Sequence, residues 1–393
     1  MRTRMIWFAP AAVVCAVVVV AGQDRPEAQP APARPGGQRA RPGDGRTPEF
    51  PEPTITQYKP RSTLKAAQHP VPKAKFPVID IHSHQPTPIS EEQFATVVRG
   101  MDANNLRVLV NASGAQGDRL VRAVTALEAS RFTNRMVQFT DIDFRNVGPG
   151  WSAKAVAQLE ADTQAGALGI GEISKAFGLR IRKADGTRLK IDDPELDPVW
   201  EAAGRLGLPV LIHTAEPQEF FEPIDFQNER WLELALYRDR RYPAGEFPRF
   251  EELMTERNRM FKKHPKTTFI AAHFAYHASD LARMATLFDQ HPNVHTEVGA
   301  ILAELGRQPR AARAFFIKYQ DRIVFGKDSF QPDEYPYFWR VFETEDEYFD
   351  YYRDYHAFWK LYGMGLPDPV LRKLYFGNAL KVVPNIPRTG FPS

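Results

Sequence analysis

The sequence predicts a parallel α/β fold that closes as a (β/α)8 barrel, and three observations lead there. Short apolar, β-branched runs alternate with longer amphipathic runs from residue 77 to residue 384. Eight such short runs can be counted. Most are apolar throughout, as strands covered on both faces must be. Alternating strands and helices argue for a parallel sheet. Eight of them in a stretch of this size close most simply as a barrel.

The strand candidates, in order, are Val78–Ile81, Arg107–Asn111, Met136–Asp141, Leu168–Ile173, Pro209–His213, Thr268–His273, Asn293–Val298 and Arg322–Gly326. Between them the apolar period lengthens to that of a helix. This predicts helices over Glu91–Ala103, Asp118–Ser130, Ala153–Gln164, Glu195–Leu206, Phe250–Lys263, Ser279–Asp289 and Pro309–Tyr319. Two connections are too long for plain turns, residues 214–249 after strand five and 328–367 after strand eight. Both would emerge on the C-terminal face of the barrel, where substrates bind. Loops of that length are read as lids or pocket walls, or else as helical decoration over apolar surface.

The N-terminal part reads differently. MRTR is a basic start, MIWFAPAAVVCAVVVVA is apolar, and the run ends in small residues. That is the layout of a secretory signal, with cleavage allowed after Ala21. A membrane anchor is the other reading of such a run. Pro10 and the lack of a second basic flank favour the signal. Cys15 is the sole cysteine, and Val14 before it does not suit lipid attachment, so the mature chain would hold no disulfide. Residues 23–69 form a linker rich in Pro and Arg, and the barrel domain is assigned to residues 70–393. An exported protein, periplasmic or secreted, is expected. N-terminal sequencing of protein from an envelope fraction should start near Gly22. A soluble cytoplasmic species retaining Met1 would exclude export.

Net charge is +3, but residues 1–65 carry ten Lys/Arg against five Asp/Glu. The remainder holds 41 basic and 43 acidic residues. A folded part so balanced has no nucleic-acid footprint. The expected partner is a small-molecule substrate, with no stable membrane association once the signal is removed and scope for a homo-oligomer.

The chemistry is concentrated at strand ends. VIDIHSHQ ends strand one with His82 and His84, which point to one side because they are two residues apart. GIGEIS ends strand four with Glu172, LPVLIHT ends strand five on His213, TTFIAAH ends strand six on His273, and RIVFGKD ends strand eight on Asp328. Six ligand-type side chains converging on one barrel mouth point to a divalent metal site. Lys175 and His277 are candidates for substrate contact. His295 and Glu297 share a strand face and could touch substrate or bond to one another. His69, His264, His291 and His356 read as surface or loop residues.

These pieces together resemble the amidohydrolase superfamily. More narrowly, they resemble the amidohydrolase-related branch (family two) that includes aminocarboxymuconate-semialdehyde and hydroxybenzoate-type decarboxylases, all metal-dependent TIM-barrel enzymes. The resemblance rests on His-x-His in IDIHSH, LIHT, AAH, FGKDSF and the closing YFGNALKVV at 375–383. It implies that His82, His84 and His213 bind metal with Asp328. It also implies that His273 completes a second metal site or acts as a polar catalyst. Lys327 before the aspartate and FAYH after His273 depart from the pattern. Glu172 resembles the GEI motif of the superfamily's deoxyribonuclease branch, where that glutamate is a ligand. The expected cofactor is one or two divalent ions, zinc or manganese. The expected reaction is hydrolysis of a small amide, ester or lactone with Asp328 as general base and His273 on the oxyanion. Decarboxylation of an aromatic or muconate-like acid is the alternative on the same scaffold.

Overall fold

A computed structural model of the chain describes residue 51 and residues 54–392. The signal segment and linker residues 23–50, 52 and 53 lie outside the described residues. The described residues fall in two units, divided between residues 63 and 64. The described part of the first carries a turn, with Gln57 N–H donating to Thr54 O at 2.9 Å. In the second, His69 is anchored by its backbone N–H to Asp346 Oδ2 at 2.6 Å. No helix among the described residues is long and apolar enough to cross a membrane.

Seven parallel strands follow in chain order: β1 (Val78–Ser83), β2 (Leu106–Ala115), β3 (Met136–Thr140), β4 (Ile170–Ile173), β5 (Val210–Ile212), β6 (Phe269–Ala271) and β7 (Val294–Thr296). Each pairs with the next, for example Val210 with Phe269 and Phe269 with Val294. The predicted eighth strand is present as a staple. Val324 N–H donates to Thr296 O at 2.9 Å, Ile81 N–H to Phe325 O at 3.0 Å and Asp328 N–H to His82 O at 2.7 Å. Residues 322–328 therefore bond to β7 on one side and β1 on the other, which closes the barrel. The closure brings Asp328 beside the His82–His84 pair. Asp80 reinforces it, since Oδ1 accepts from the backbone N–H of both His82 (3.0 Å) and Lys327 (3.1 Å). The Tyr335 hydroxyl donates to Asp80 Oδ2 at 2.7 Å.

The helices form for local reasons and bury one stripe each. Helix Glu91–Asn104 opens on a reciprocal cap, Ser90 with Gln93, and stops where Asn105 turns left-handed. Helix Phe250–Lys263 has Glu251 and Glu252 in its first turn and Lys262 and Lys263 in its last, each favourable to the helix dipole. Its buried residues are Phe250, Leu253, Met254, Glu256, Arg257, Met260 and Phe261. Each large apolar side chain so buried contributes about 1.5–3 kcal/mol. The buried arginine becomes important at the site.

The two long connections have different roles. After strand eight, helix Tyr335–Glu343 buries Tyr335, Phe338, Trp339, Val341 and Phe342 and so behaves as a core element. The residues beyond it, Arg353 and His356, reach a cavity wall. The connection after β5 supplies Glu216, Glu219, Arg230 and Glu233 to the same cavity. His264, His291 and His356 are buried, which corrects the surface reading of all three. Each is held under a loop or helix end, a placement that residue type alone does not reveal.

Candidate metal centre

The six ligand-type residues meet at the barrel mouth in two overlapping sets. The first is His82, His84, Glu172 and Asp328; the second is Glu172, His213 and His273. In the first, His82 Nε2 and His84 Nε2 lie 3.3 Å apart. Glu172 Oε2 is 3.4 Å from His82 Nε2 and 3.2 Å from His84 Nε2. Asp328 Oδ1 is 3.4 Å from His84 Nε2. In the second, Glu172 Oε1 is 2.8 Å from His213 Nδ1, and His273 Nε2 is 3.2 Å from that same nitrogen. Glu172 thus divides its two oxygens between the sets. The sequence reading grouped His213 with His82, His84 and Asp328; the structure instead places its Nδ1 with Glu172 and His273.

Two glycines make this approach possible. A Cβ on Gly171, at φ +117°, would collide with the Leu211 carbonyl oxygen, so only glycine lets the chain bring Glu172 in beside β5. A Cβ on Gly326 would stand 2.9 Å from the His82 Cβ and 3.1 Å from the Glu297 Cβ.

Three of the four histidine rings are set from behind. Glu297 has no exposed surface. Its Oε1 accepts from the His273 backbone N–H at 2.5 Å and lies 3.3 Å from His82 Nδ1. Its Oε2 accepts from the Gly299 N–H. A proton on His82 Nδ1, facing Glu297, leaves the Nε2 lone pair toward the centre. His273 Nδ1 donates to Gly299 O at 3.0 Å, with the same result. For His213 the order is reversed. Tyr276 donates its one proton to Glu216 Oε2 at 2.9 Å, so its oxygen accepts from His213 Nε2–H at 2.7 Å. That frees Nδ1 to face Glu172. Lys175 Nζ closes the chain by donating to Glu216. This pairing takes up Lys175, the sequence candidate for substrate contact, although it still lines the cavity.

Tyr276 reaches His213 because of an uncommon backbone. His273, Phe274, Ala275 and Tyr276 all have φ between 53° and 55°. Left-handed geometry costs about 1–2 kcal/mol per non-glycine residue, so a run of four needs support. Arg257 supplies part of it, donating from Nη1 to Ala275 O at 2.9 Å and from Nη2 to His277 Nε2 at 3.2 Å. Phe274 N–H donates to Glu297 O at 3.0 Å. Phe274 also stacks near Phe315 and Phe316.

His277 lines the cavity, yet its Nε2 accepts from a guanidinium and so must be neutral. Burial first, then Arg257, pushes its pKa down to about 2. The unfolded chain takes up a proton here below about pH 6.5 and the folded chain does not, so stability falls as pH drops from that value towards 2. The expected cost at pH 5 is about 2 kcal/mol. In urea titrations at pH 7 and pH 5, His277→Gln should lose that much less stability than the parent. Parallel losses would exclude the assignment.

The electrostatics of the centre follow from proximity. Burial opposes a charge on His82, yet Glu172 and Glu297 hold its pKa well above the usual value. Burial likewise opposes ionisation of Asp328, but His84 and His82 keep it far below the ordinary carboxylate range. Glu216 is lowered to about 2, against its burial, by His213 and Lys175. Imidazole nitrogens turned inward beside ionised carboxylates are the donor set of a borderline-hard divalent cation, which would take the place of the protons these rings otherwise hold. The residues present therefore fit such an ion.

The structure adds Asp80, Glu216, Arg257 and Tyr276 to the residues read from the sequence, and gives Glu297 a role behind His82 and His273. His295 has no hydrogen-bond partner at Nδ1, and its pKa is lowered to about 4 by burial and Arg322. Glu297 lies one residue beyond β7, so the two do not share a strand. Tyr276 was hidden because three residues on from His273 in ordinary backbone would not bring its hydroxyl to His213.

A family profile described as Amidohydrolase matches residues 69–384. Among solved structures, the chain is similar to an uncharacterized TIM-barrel protein from Bordetella bronchiseptica, with 13% identity, TM-score 0.46, and coverage of 78% of this chain and 97% of that one. An amidohydrolase from Burkholderia multivorans with bound HEPES gives 13% identity, TM-score 0.43 and coverage of 78% and 98%. The apo form of IDCase from Metarhizium anisopliae gives 13%, 0.43, and 78% and 96%. No curated protein matches.

Proposed function

The chain belongs to the amidohydrolase family, whose members are metal-dependent enzymes, and on that premise we propose that it hydrolyses a small-molecule amide, ester or lactone. One observation carries the reading: Glu172 Oε2 faces His82 and His84 while Oε1 faces His213. A carboxylate so divided suits two cations about 3.5–4 Å apart, the usual spacing in two-metal hydrolases. His82, His84, Asp328 and Glu172 would hold one ion, and Glu172, His213 and His273 the other. Zinc is the proposed metal, with manganese as the alternative. When bound there, such ions lower the pKa of water and polarise a carbonyl.

The remaining work falls to the chain. Asp328 is 35% exposed at the inner end of the cavity and ionised, so it accepts the proton of the attacking water. It then returns that proton to the leaving group. Glu297 and Gly299 hold the His273 ring with Nε2 forward, and Tyr276 and Glu216 hold His213. Rings fixed in this way would hold an ion with little reorganisation. We also propose that the enzyme works outside the cytoplasm, on the strength of residues 1–22.

A panel of chromogenic esters and lactones and small amides, tested with metal-loaded protein, should show turnover that a chelator abolishes. Hydroxybenzoates incubated in parallel should release no carbon dioxide. Gas release without ester or lactone cleavage would replace hydrolysis with decarboxylation. Silence in both, with metal bound, would point to a binding protein.

A further inference from the structure

The cavity that begins at His213, His273 and Asp328 ends in a corner built by three loops. It encloses about 220 Å³. The connection after β5 brings Glu219, Arg230 and Glu233, the short helix Leu302–Gly306 brings Glu304, and the segment after strand eight brings His356. Cations on this wall are already engaged. Arg230 donates to Glu304 Oε1 at 2.5 Å and to Glu233 Oε2 at 3.3 Å. Arg240 donates to Glu233 Oε1 at 2.5 Å, and Arg283 is paired with Glu251 at 2.7 Å. Lys175 is held by Glu216, and Arg353 faces Glu334 Oε2 at 3.7 Å.

Acceptors are left over. Glu304 is 5% exposed, and its Oε2 has no hydrogen-bond partner. His356 is 6% exposed, and its Nε2 also has none, standing 3.5 Å from Glu304 Oε1 without completing a bond. The ring lies between two carboxylates, with Nδ1 3.8 Å from Glu233 Oε2 and Nε2 3.5 Å from Glu304 Oε1, so it offers protons to this wall. The Glu219 carboxyl stands on the same wall, close enough to Arg230 and Glu304 to feel both charges. A buried carboxylate oxygen left unpaired bears the cost of its lost hydration with nothing in return. A corner whose cations are paired and whose buried Glu304 Oε2 lacks a partner suits a group that donates.

We propose that this corner recognises an ammonium group on the substrate, with Glu304 Oε2 and the Glu219 carboxylate accepting from its N–H donors. This rests on the hydrolytic metal-site reading and narrows it. The substrate is an amide, ester or lactone that carries a primary amine away from the scissile carbonyl. A terminal carboxylate in its place would meet two carboxylates and be rejected.

Two hydroxamates of equal length test this on the metal-loaded full chain: δ-aminovaleryl hydroxamate, ending in an ammonium, and caproyl hydroxamate, ending in a methyl. Hydroxamates bind divalent metal whichever reaction the site performs, so the comparison isolates the far end. By calorimetry the amino compound should bind at least about tenfold more tightly. In Glu304→Gln the ratio of the two constants should fall to about one. Glu219→Gln, which breaks no ion pair, should lower it and guards against misfolding of the first variant. Equal affinities in the parent, or an unchanged ratio in both variants, would overturn the subsite. Failure of both hydroxamates to bind would overturn the metal-site reading instead. The corner is then judged by pentylammonium against pentanol, and it stands only if the parent prefers the ammonium and Glu219→Gln does not.

Discussion

Asp328→Asn should lower kcat by at least ~10² while the barrel stays folded and retains metal. The expectation rests on three features of that position. Its carboxylate is the part of the first ligand set that opens to the cavity, at 35% exposure. It is ionised, held below the ordinary range against its burial by His84 and His82. An amide in its place is isosteric but cannot accept the proton of an attacking water. The backbone argues for survival of the fold, because Asp328 sits at φ +80° and asparagine tolerates left-handed geometry better than most residues. The hydrogen bond from its N–H to His82 O involves no side chain and persists. Circular dichroism and elemental analysis check fold and metal, and steady-state kinetics check turnover. Near-normal kcat with metal bound would remove Asp328 from the role of base.

Glu172→Gln should reduce the bound metal from two ions per chain to one. Glutamine keeps the shape but offers one oxygen and an NH2 group, which donates rather than ligates. Only one of the two ligand sets can then keep its Glu172 oxygen, and the local negative charge is lost. The set of His82, His84 and Asp328 keeps three other donors, whereas His213 and His273 keep only each other. The second set should therefore empty first. Elemental analysis of parent and variant decides it. One ion per chain in both, at unchanged affinity, would place Glu172 behind the ligands and favour a single-ion, decarboxylase-like geometry.

The parts of this site that were legible in the sequence share a physical cause. A strand points alternate residues to one side, so His-x-His could be read as a pair. A parallel barrel sends every strand end to one face, so apolar runs ending in His213, His273 and Asp328 could be read as convergent. The helix Phe250–Lys263 was readable to its last residue because its period and terminal charges agree. Irregular backbone was not readable. HFAY contains no glycine, and nothing in its composition announces four left-handed residues. The turn exists because Arg257, from a helix some twenty positions earlier, binds Ala275 O and His277. The eighth strand was legible as an apolar run. That it is a short staple between β1 and β7 is a matter of which neighbours its N–H groups find.

The sequence alone thus determined the fold class and the six ligand-type residues, because periodicity and strand ends are local properties. How those residues are grouped was decided by tertiary structure. Glu172 shares itself between two histidine sets because Gly171 lets its strand pass against the Leu211 carbonyl. His213 turns Nδ1 inward because Tyr276, from the turn after β6, claims its Nε2 and is itself oriented by Glu216. Hydrogen-bond direction at a ring nitrogen depends on partners distant in the chain, and those partners meet only when the barrel closes.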